Sequence, residues 1–376
     1  MPYPSATAEA APPPATMRAV VIHRPTDARL LHWESVPVPT PGPGQVLVRV
    51  LATTVISSEI ASREGVSTAT LPLILGNDFV GEVVESADDP SLVGRRVLGA
   101  YGGYGYTRDG AWADYLVVDA SDAFPVDTDL DLVTLAAVPG SFTAASGGLR
   151  SLGPLYGKRL LIRGGTSGVG LAAATLAIDA GAEIIATTRD PRKVDRLLAH
   201  GIHHVVLDDG DLPGRVREVV PGGVDLALEL LGVASLPETL RCVREYGVVC
   251  LTGLLRDQTN SILSGIREDR SVPEFPHPME LIPPTVRLTV GGVAGTARTA
   301  EMVQEWVDGM EAGRYRMPVD AVFTLDQMDE AHRRRADPAT FGKVVILVGD
   351  PSVAAPAAPS APPVPTASTT HSASIE

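Results

Sequence analysis

The sequence predicts an α/β protein in which a small β-rich barrel precedes a doubly wound parallel sheet. Three observations indicate this fold class. Short β-branched segments separated by Gly-rich turns fill the first part of the chain, strand and helix patterns alternate after residue 140, and strand patterns return near residue 320. The length of 376 residues suits two domains of ordinary size.

The composition of the chain limits the class of protein it can be and the kinds of partner it can bind. Hydrophobic residues make up 44% of the chain, and no run of about 18 apolar residues predicts a membrane span. The net charge of −14 opposes binding to nucleic acid, and the N-terminus lacks the features of a secretory signal. The two cysteines, Cys242 and Cys250, cannot form a disulfide framework. We therefore expect a cytoplasmic protein that acts on a small molecule and binds neither nucleic acid nor membrane.

The two ends of the chain differ in composition from the part between them. Residues 1–16 and 351–376 are rich in Pro and Ala and nearly free of acids, which predicts disordered tails. We expect a β-rich domain over 17–140 that is completed by 316–350, and an α/β domain over 141–315.

Alternating, β-branched segments predict the strands of the barrel. Gly and charged turns separate these segments, and such close spacing is typical of a small antiparallel barrel. The segments are MRAVVIH, QVLVRVLATTV, DFVGEVVES, RRVLGA and WADYLVV.

Strands and helices alternate in the second part of the chain, which predicts the parallel sheet. A strand over 159–163 leads into GGTSGVG and an Ala/Leu-rich helix. The next helix has Asp190 as its expected N-cap and Gly201 just beyond its end. The later strand segments are AEIIATT, HHVVL, VDLALEL, YGVVCLTG and VRLTVGG, followed by a return through AVFTL and KVVILV.

A Gly-rich turn between strand and helix is the strongest local motif. A pyrophosphate needs closely approaching backbone N–H donors and the positive end of a helix, which such a turn provides. Ser167 replaces the middle Gly of the G-x-G-x-x-G fingerprint, but the strand–helix context supports dinucleotide binding. The expected cofactor-binding residues of the turn are Gly165, Thr166, Ser167, Gly168, Val169 and Gly170.

The end of the next strand indicates which dinucleotide binds. A site for NADH usually has a carboxylate there, whereas this strand ends in Thr188-Arg189, with Lys193 one turn later. A hydroxyl and two cations suit a 2′-phosphate, so we expect NADPH, with NADH as the less favoured alternative. Asp190 is better explained as the helix cap. The alternative for Arg189 and Lys193 is that they are solvated residues of a helix start.

The order of these segments resembles the medium-chain dehydrogenase/reductase superfamily, over nearly all of 17–350. Within it the chain is most similar to the zinc-independent quinone oxidoreductase-like branch, which includes enoyl reductases. The resemblance implies a GroES-like catalytic domain, a Rossmann-type domain that binds NADPH, and a homodimer formed through the nucleotide domain. It is carried by GPGQVLVRV, LPLILGNDFVGEVVE, RGGTSGVGLAA, IIATTRDPRK, LRCVREYGVVCLTG and FGKVVIL.

Two positions depart from the zinc enzymes of this superfamily. Gly76-Asn77-Asp78 stands where they have Gly-His-Glu, and the segment around Ile56 has no Cys. A catalytic zinc needs about three N, S or O ligands, so we expect no metal, and a structural role for Asp78. The expected reaction is hydride transfer from NADPH to an acceptor that spreads its own charge, a quinone or an α,β-unsaturated carbonyl, followed by protonation.

Candidate catalytic residues come from two segments. Glycines separate Tyr101, Tyr104 and Tyr106, which suggests either a flexible aromatic lip that stacks on a flat substrate or a mobile surface turn. Ser57 and Ser58 lie where the resembled family often presents an Asn toward the nicotinamide. The Asn position itself is Ile56, and either serine could compensate for that loss.

Further cofactor contacts are expected outside the turn. Thr143 matches a family Thr that contacts the cofactor, and Lys343 matches a family Gly-Lys near the active site. The alternatives are a helix-terminus hydroxyl and an ordinary strand-edge lysine. Ligands of doubly wound sheets lie where the strands end, and the residues at the ends of later strands are Leu231, Gly232, Gly253 and Leu254.

Two other functions stay open at this point. The chain could be a tailoring reductase of specialised metabolism with an unusual acceptor, recruited through its Pro/Ala tail. It could also be a non-catalytic, NADPH-binding redox sensor, which the loss of the family Asn at Ile56 favours. The Arg-rich segment 333–335 reads as a solvated helix face, and the eight histidines show no metal-binding spacing.

Overall fold

The computed structural model describes residues 12–66, 69–253, 277–293 and 298–349. The first part of the chain is built almost entirely of strands. They are β1 (Thr16–Ala19), β2 (Val21–Ile22), β3 (Glu34–Pro37), β4 (Gln45–Val55), β5 (Leu73–Ile74), β6 (Asp78–Ser86), β7 (Arg96–Ala100), β8 (Tyr115–Asp119) and β9 (Phe124–Pro125). Its helices are α1 (Ser57–Arg63), α2 (Leu132–Ala136) and α3 (Pro139–Leu152).

Strands and helices alternate in the second part. The strands are β10 (Arg159–Arg163), β11 (Glu183–Thr188), β12 (His204–Leu207), β13 (Val224–Glu229), β14 (Val243–Leu251), β15 (Arg287–Val290), β16 (Val319–Thr324) and β17 (Lys343–Leu347). The helices are α4 (Gly168–Asp179), α5 (Val194–Ala199), α6 (Leu212–Val219), α7 (Leu236–Cys242), α8 (Pro278–Leu281), α9 (Ala300–Glu311) and α10 (Met328–Ala336).

Strand β4 is the centre of a seven-stranded sheet. It pairs antiparallel with β6, β8 and β17. Its residues are apolar on both faces, so other elements can cover it on each side. The order β16-β17-β4-β6-β7-β9 carries the last two strands of the chain back to the first sheet. The pairing of Val344 with Val55 brings the start of β17 to the end of β4, beside α1.

Within the described ranges, the second sheet has six parallel strands in the order β12-β11-β10-β13-β14-β15. The chain runs outward from β10 through β11 to β12, then crosses back to β13 on the other side of β10. This reversal creates a crevice at the carboxyl ends of β10 and β13, where ligands of doubly wound sheets bind. The predicted fold class, a doubly wound sheet joined to a GroES-like β-rich part, is confirmed.

Apolar packing fixes the two parts against each other. One buried cluster joins barrel residues such as Ala52 and Leu98 to α3, α4 and the face of the parallel sheet. Small residues of α4, Ala172 to Ala174, are fully buried there, because short side chains allow close approach of helix and sheet. A second cluster fills the barrel around Trp112 and Phe79.

Some predictions fall at or beyond the limits of the described residues. Strand β1 begins at Thr16, a residue that the sequence assigned to the N-terminal tail. The rest of that tail up to residue 11, the C-terminal segment from residue 350, and Leu254 lie outside the described residues. Within the described part, none of the helices has the length and apolar character needed to cross a membrane.

Candidate cofactor site and active site

The Gly-rich turn lies between β10 and α4, at the crevice of the parallel sheet. The Ser167 hydroxyl accepts a hydrogen bond from the Gly170 N–H at 3.1 Å and donates to the Gly164 carbonyl at 2.8 Å. Ser167 is therefore the N-cap of α4, which is a reason for Ser at the middle position of the fingerprint. The N–H groups of Gly168 and Val169 lie in the first turn, where a helix offers no acceptor of its own.

Two glycines of this turn make approaches that a side chain would block. A Cβ on Gly170 would lie 2.5 Å from the Gly164 carbonyl oxygen, so the turn could not close as it does. A Cβ on Gly168 would lie 2.8 Å from the Ser141 hydroxyl and 3.2 Å from Cδ of Lys343. The start of α4 is thus a bare-backbone cradle that faces α3 and β17, and this arrangement fits a diphosphate.

The carboxyl end of β11 carries an exposed arginine beside an engaged carboxylate. Both Asp190 oxygens bind the Arg192 guanidinium, at 2.9 and 2.8 Å, and one also caps the Arg192 N–H. These hydrogen bonds, chiefly those from the Arg192 side chain, lower the pKa of Asp190. Thr188 is buried, and its hydroxyl binds the backbone N–H and carbonyl of Asp190. Arg189 is exposed, and among the described residues no ion pair is found for it.

Lys193 differs from the sequence interpretation. Its ammonium donates to the carbonyls of Pro338 at 2.6 Å and Thr340 at 2.7 Å, and the side chain is buried. Burial lowers its pKa. The prediction that Lys193 joins Arg189 around a 2′-phosphate is therefore wrong. The Lys193 ammonium instead joins the start of α5 to the loop before β17. The sequence could not reveal this contact, since the two segments are far apart along the chain.

A buried ion pair lies at the other end of the crevice. The Lys343 ammonium is 3.1 Å from Oδ2 of Asp78, and both side chains are almost fully buried. Asp78 also accepts hydrogen bonds from the N–H of Thr54 at 3.0 Å and from its hydroxyl at 2.8 Å. Asp78 therefore has the structural contacts expected at a strand start, and Lys343 is much more than a strand-edge lysine.

Glu59 is a third buried ionisable group at this end. Its carboxylate accepts the N–H of Ile56 at 2.7 Å and the N–H of Asn77 at 2.8 Å, so it joins the start of α1 to the start of β6. Desolvation, together with the charge of Asp78, raises its pKa from 4.5 to about 8. Glu59 is therefore largely protonated at neutral pH.

The three tyrosines of the Gly-rich loop have different environments. Tyr104 is fully buried in the barrel, where its hydroxyl donates to Asp122 at 3.2 Å and accepts the Asp119 N–H at 2.9 Å. Tyr104 as a catalytic donor is thus wrong, since its ring is a core residue under the Arg108 guanidinium. The loop is a compact hydrogen-bonded turn in which three glycines have positive φ, rather than a flexible lip or a mobile turn.

Tyr106 and Ser58 form the hydroxyl pair of the site. The Tyr106 hydroxyl donates to the Ser58 hydroxyl at 2.5 Å, and both side chains are half-buried. Desolvation raises the pKa of Tyr106, so its proton stays on the ring at neutral pH. Tyr101 is directed elsewhere, since its hydroxyl donates to the Gly140 carbonyl at 3.0 Å. Ser57 accepts a hydrogen bond from Arg335 at 2.6 Å.

The other expected cofactor contacts are already engaged in hydrogen bonds within the chain. The Thr143 hydroxyl donates to the Pro139 carbonyl at 2.7 Å, which matches the helix-backbone alternative. The N–H groups of Leu231 and Gly232 both donate to Glu229, and the Gly253 N–H donates to the Glu229 carbonyl. The ends of β13 and β14 thus meet at the crevice, but these N–H groups are already occupied.

The donor set does not fit a catalytic zinc. Ile56 has no ligand atom, Asp78 is saturated by Thr54 and Lys343, and the Asn77 amide nitrogen donates to the Tyr104 carbonyl at 3.3 Å. Across the described ranges, no group of three His, Cys, Asp or Glu side chains could hold one ion. Asn77 Oδ1 is buried without a hydrogen-bond partner, and a neutral amide oxygen alone makes a poor zinc site.

Sequence reasoning missed two charged residues of the site. The sequence assigned no role to Glu59; a Glu at the third position of a helix can bond the N-cap backbone, but Ile56 lacks the side-chain oxygen that completes this signal. Arg335 was assigned to a solvated face, although it reaches Ser57. That contact joins residues from opposite ends of the chain, and no local pattern reveals it.

Known proteins match both parts of the chain. The family model described as alcohol dehydrogenase GroES-like domain matches residues 42–128, and that described as zinc-binding dehydrogenase matches residues 168–272. The L-threonine 3-dehydrogenase of Streptomyces coelicolor is 33% identical over 244 residues, which span 55% of this chain and 67% of that protein.

Solved structures with the same fold cover nearly all of the chain. A crystal structure of an NAD-dependent alcohol dehydrogenase superposes with a TM-score of 0.73 at 26% identity, over 89% of this chain and all of that one. The quinone oxidoreductase from Coxiella burnetii has a TM-score of 0.72 over 89% of this chain and 100% of that one, at 20% identity, which shows the fold alone. This chain belongs to the medium-chain dehydrogenase/reductase superfamily of oxidoreductases.

Proposed function

We propose that this oxidoreductase is NADPH-dependent and transfers hydride to a quinone or an α,β-unsaturated carbonyl compound without a catalytic zinc. The observation that carries the proposal is the Tyr106–Ser58 hydroxyl pair, which we assign, together with the saturated Asp78, to the reaction end of the crevice. Hydroxyl donors can stabilise and protonate the delocalised anion that forms when a conjugated acceptor takes up hydride.

The preference for NADPH is supported by the end of β11. The Asp190 carboxylate is bound by Arg192, so it offers little to ribose hydroxyls. Arg189 is exposed at the same place and presents a planar cation suited to a phosphate. Lys193 no longer contributes to this argument, because its ammonium is committed to two carbonyls.

The chain's own residues have separate roles in the proposed reaction. The backbone of Gly168 and Val169 binds and orients the dinucleotide, which when bound supplies the hydride. Tyr106 donates a hydrogen bond through Ser58 and holds the proton that the reduced acceptor takes up. The Lys343–Asp78 pair fixes the position of β17 against β6 and is itself no proton donor in this proposal.

The direct test is turnover of the purified chain. NADPH is mixed with a panel of quinones and enones, and loss of the dihydronicotinamide absorbance is followed, with metal content measured on the same sample. We expect oxidation of NADPH by at least one conjugated acceptor, unaffected by a chelator. Binding of NADPH without turnover on any acceptor would favour the redox sensor, and dependence on stoichiometric zinc would contradict the proposal.

A second candidate is oxidation of an amino alcohol. The match to the L-threonine 3-dehydrogenase favours it, since that protein is 33% identical over two thirds of its length. The same preparation is therefore assayed with L-threonine and oxidised cofactor, with and without added zinc. Reduction of the cofactor by L-threonine would replace the first proposal, and the lack of it would leave the conjugated acceptor as the better candidate.

A homodimer through the parallel sheet is also proposed. Among the described residues, β15 is the outermost strand at one edge of that sheet, and Val290 at its end is 76% exposed. An unpaired edge with an exposed apolar side chain is a template for pairing with a second copy. Sedimentation of wild type and Val290→Lys tests this, and an unchanged dimer in the variant would move the interface elsewhere.

A further inference from the structure

Three consecutive arginines end helix α10, and they differ in their partners. Arg333 binds Asp329 at 2.9 Å and Arg334 binds Asp320 at 2.5 Å. Arg335 has no carboxylate within ion-pair distance among the described residues, and its Nη2 donates to the Ser57 hydroxyl at 2.6 Å. The segment is therefore not a uniform solvated face, since its last member contacts Ser57 at the start of α1.

The surroundings of Arg335 leave its charge uncompensated. The side chain is only half-exposed, and desolvation lowers its pKa, with the charges of Glu59 and Asp320 acting in the opposite direction. Both carboxyl groups already have other partners, Asp320 the Arg334 guanidinium, and Glu59 the N–H groups of Ile56 and Asn77. A partly desolvated guanidinium without a counter-ion is costly, so an anion that pairs with it there would be bound favourably.

Arg335 lies near both Lys193 and Glu59, since its charge adds to burial in lowering the pKa of Lys193 and the charge of Glu59 acts to raise the pKa of Arg335. Ser57, which it contacts, is next to the Ser58–Tyr106 pair of the reaction end. On its other side begins the loop from α10 to β17, and Lys193 at the adenosine end binds two carbonyls of that loop. The next residue after the loop, Lys343, lies along the first turn of α4. Arg335 is thus near the part of the crevice that a dinucleotide's phosphates would cross.

We infer that Arg335, held by Ser57, binds the diphosphate of the dinucleotide from the barrel side, opposite the backbone N–H groups of α4. The inference rests on the proposed binding of a nicotinamide dinucleotide. Two other cations near this place are committed, Lys343 to Asp78 and Lys193 to carbonyls, while Arg189 lies exposed just after β11. A diphosphate carries more negative charge than one helix terminus compensates, and the fork of a guanidinium matches its oxygens.

The test is direct binding to the full chain. Calorimetric titrations with NADPH, NADH and adenosine 2′-monophosphate are compared for wild type, Arg335→Gln and the matched control Arg333→Gln. We expect Arg335→Gln to weaken NADPH and NADH by the same factor, about ten- to a hundredfold, with no change for the monophosphate. Arg333→Gln should bind all three as wild type does, because Arg333 pairs with Asp329 on its own helix.

Two further variants distinguish the loss of the Arg335 contact from misfolding of the chain. Arg335→Lys keeps the charge but not the fork and should give a smaller loss, and Ser57→Ala should act in the same direction more weakly. Unchanged affinity for both dinucleotides in Arg335→Gln overturns the inference. A loss of affinity confined to NADPH would make Arg335 a 2′-phosphate ligand. A change confined to the KM of the acceptor would make Arg335 a substrate ligand. Either result also overturns the inference. If wild type binds neither dinucleotide, the proposed function itself fails.

Discussion

The two ends of the crevice are formed by different kinds of chemical group. At the adenosine end and over the glycine turn, backbone N–H groups and a side-chain cap on the backbone define the geometry, as Ser167 and Thr188 show. At the reaction end, buried side chains define it, with Asp78, Lys343 and Glu59 meeting from β6, β17 and α1. The geometry of the glycine turn tolerates exchange of exposed side chains. The geometry of the reaction end depends on its buried polar side chains keeping their partners.

The largest effect is expected from breaking the buried ion pair. Lys343→Met leaves the Asp78 carboxylate buried without its cation, and we expect a loss of about 3–5 kcal/mol in the free energy of unfolding, measured in urea. The double variant Lys343→Met/Asp78→Asn should recover part of this loss, because the uncompensated charge is gone. Equal stability of Lys343→Met and wild type would show that the reaction end does not depend on the pair.

The next effect separates two tyrosines of one loop. Tyr106→Phe removes the hydroxyl that donates to Ser58, and we expect kcat for the reduction to fall about a hundredfold with little change in unfolding. Tyr104→Phe removes hydrogen bonds inside the barrel and should lower stability while leaving kcat nearly unchanged. The reverse pattern would move the proton donor into the barrel and contradict the assignment.

Glu59 should make the free energy of unfolding depend on pH, which tests the role of the reaction end in stability. Its pKa is raised from 4.5 to about 8, so the folded chain keeps a proton that the unfolded chain loses. The stabilisation from this proton is fully present below about pH 4.5 and is lost as the pH rises toward 8. Glu59→Gln should cost about 1–3 kcal/mol and flatten this decline, measured as urea unfolding at several pH values. An unchanged slope would place the titration elsewhere.

The smallest effect is expected at the adenosine end. Arg189→Ala should weaken NADPH binding about tenfold and leave the Kd of NADH nearly unchanged, because Arg189 is exposed and a charge-assisted contact there is screened by water. Titration of both nucleotides against one preparation checks it. Equal losses for the two would falsify the assignment of Arg189 to the 2′-phosphate.

The same contrast explains what the sequence could reveal. The turn between β10 and α4, the cap at Asp190 and the order of strands are local patterns, because periodicity and capping act over a few residues. The Lys193, Lys343 and Arg335 contacts each join segments far apart in the chain, and only the packed fold specifies them. Tyr104 shows the opposite error, since a glycine-flanked tyrosine looked exposed but fills the barrel.

The pairing of β17 with β4 has a consequence for how the chain is made. Strand β4 emerges early from the ribosome, yet one of its neighbours is the last strand to be synthesised. The parallel sheet has all its strands available sooner, while an edge of β4 stays open and able to pair with another molecule. A truncation just before residue 343 should therefore aggregate during expression, even though most of the cofactor-binding residues are still present.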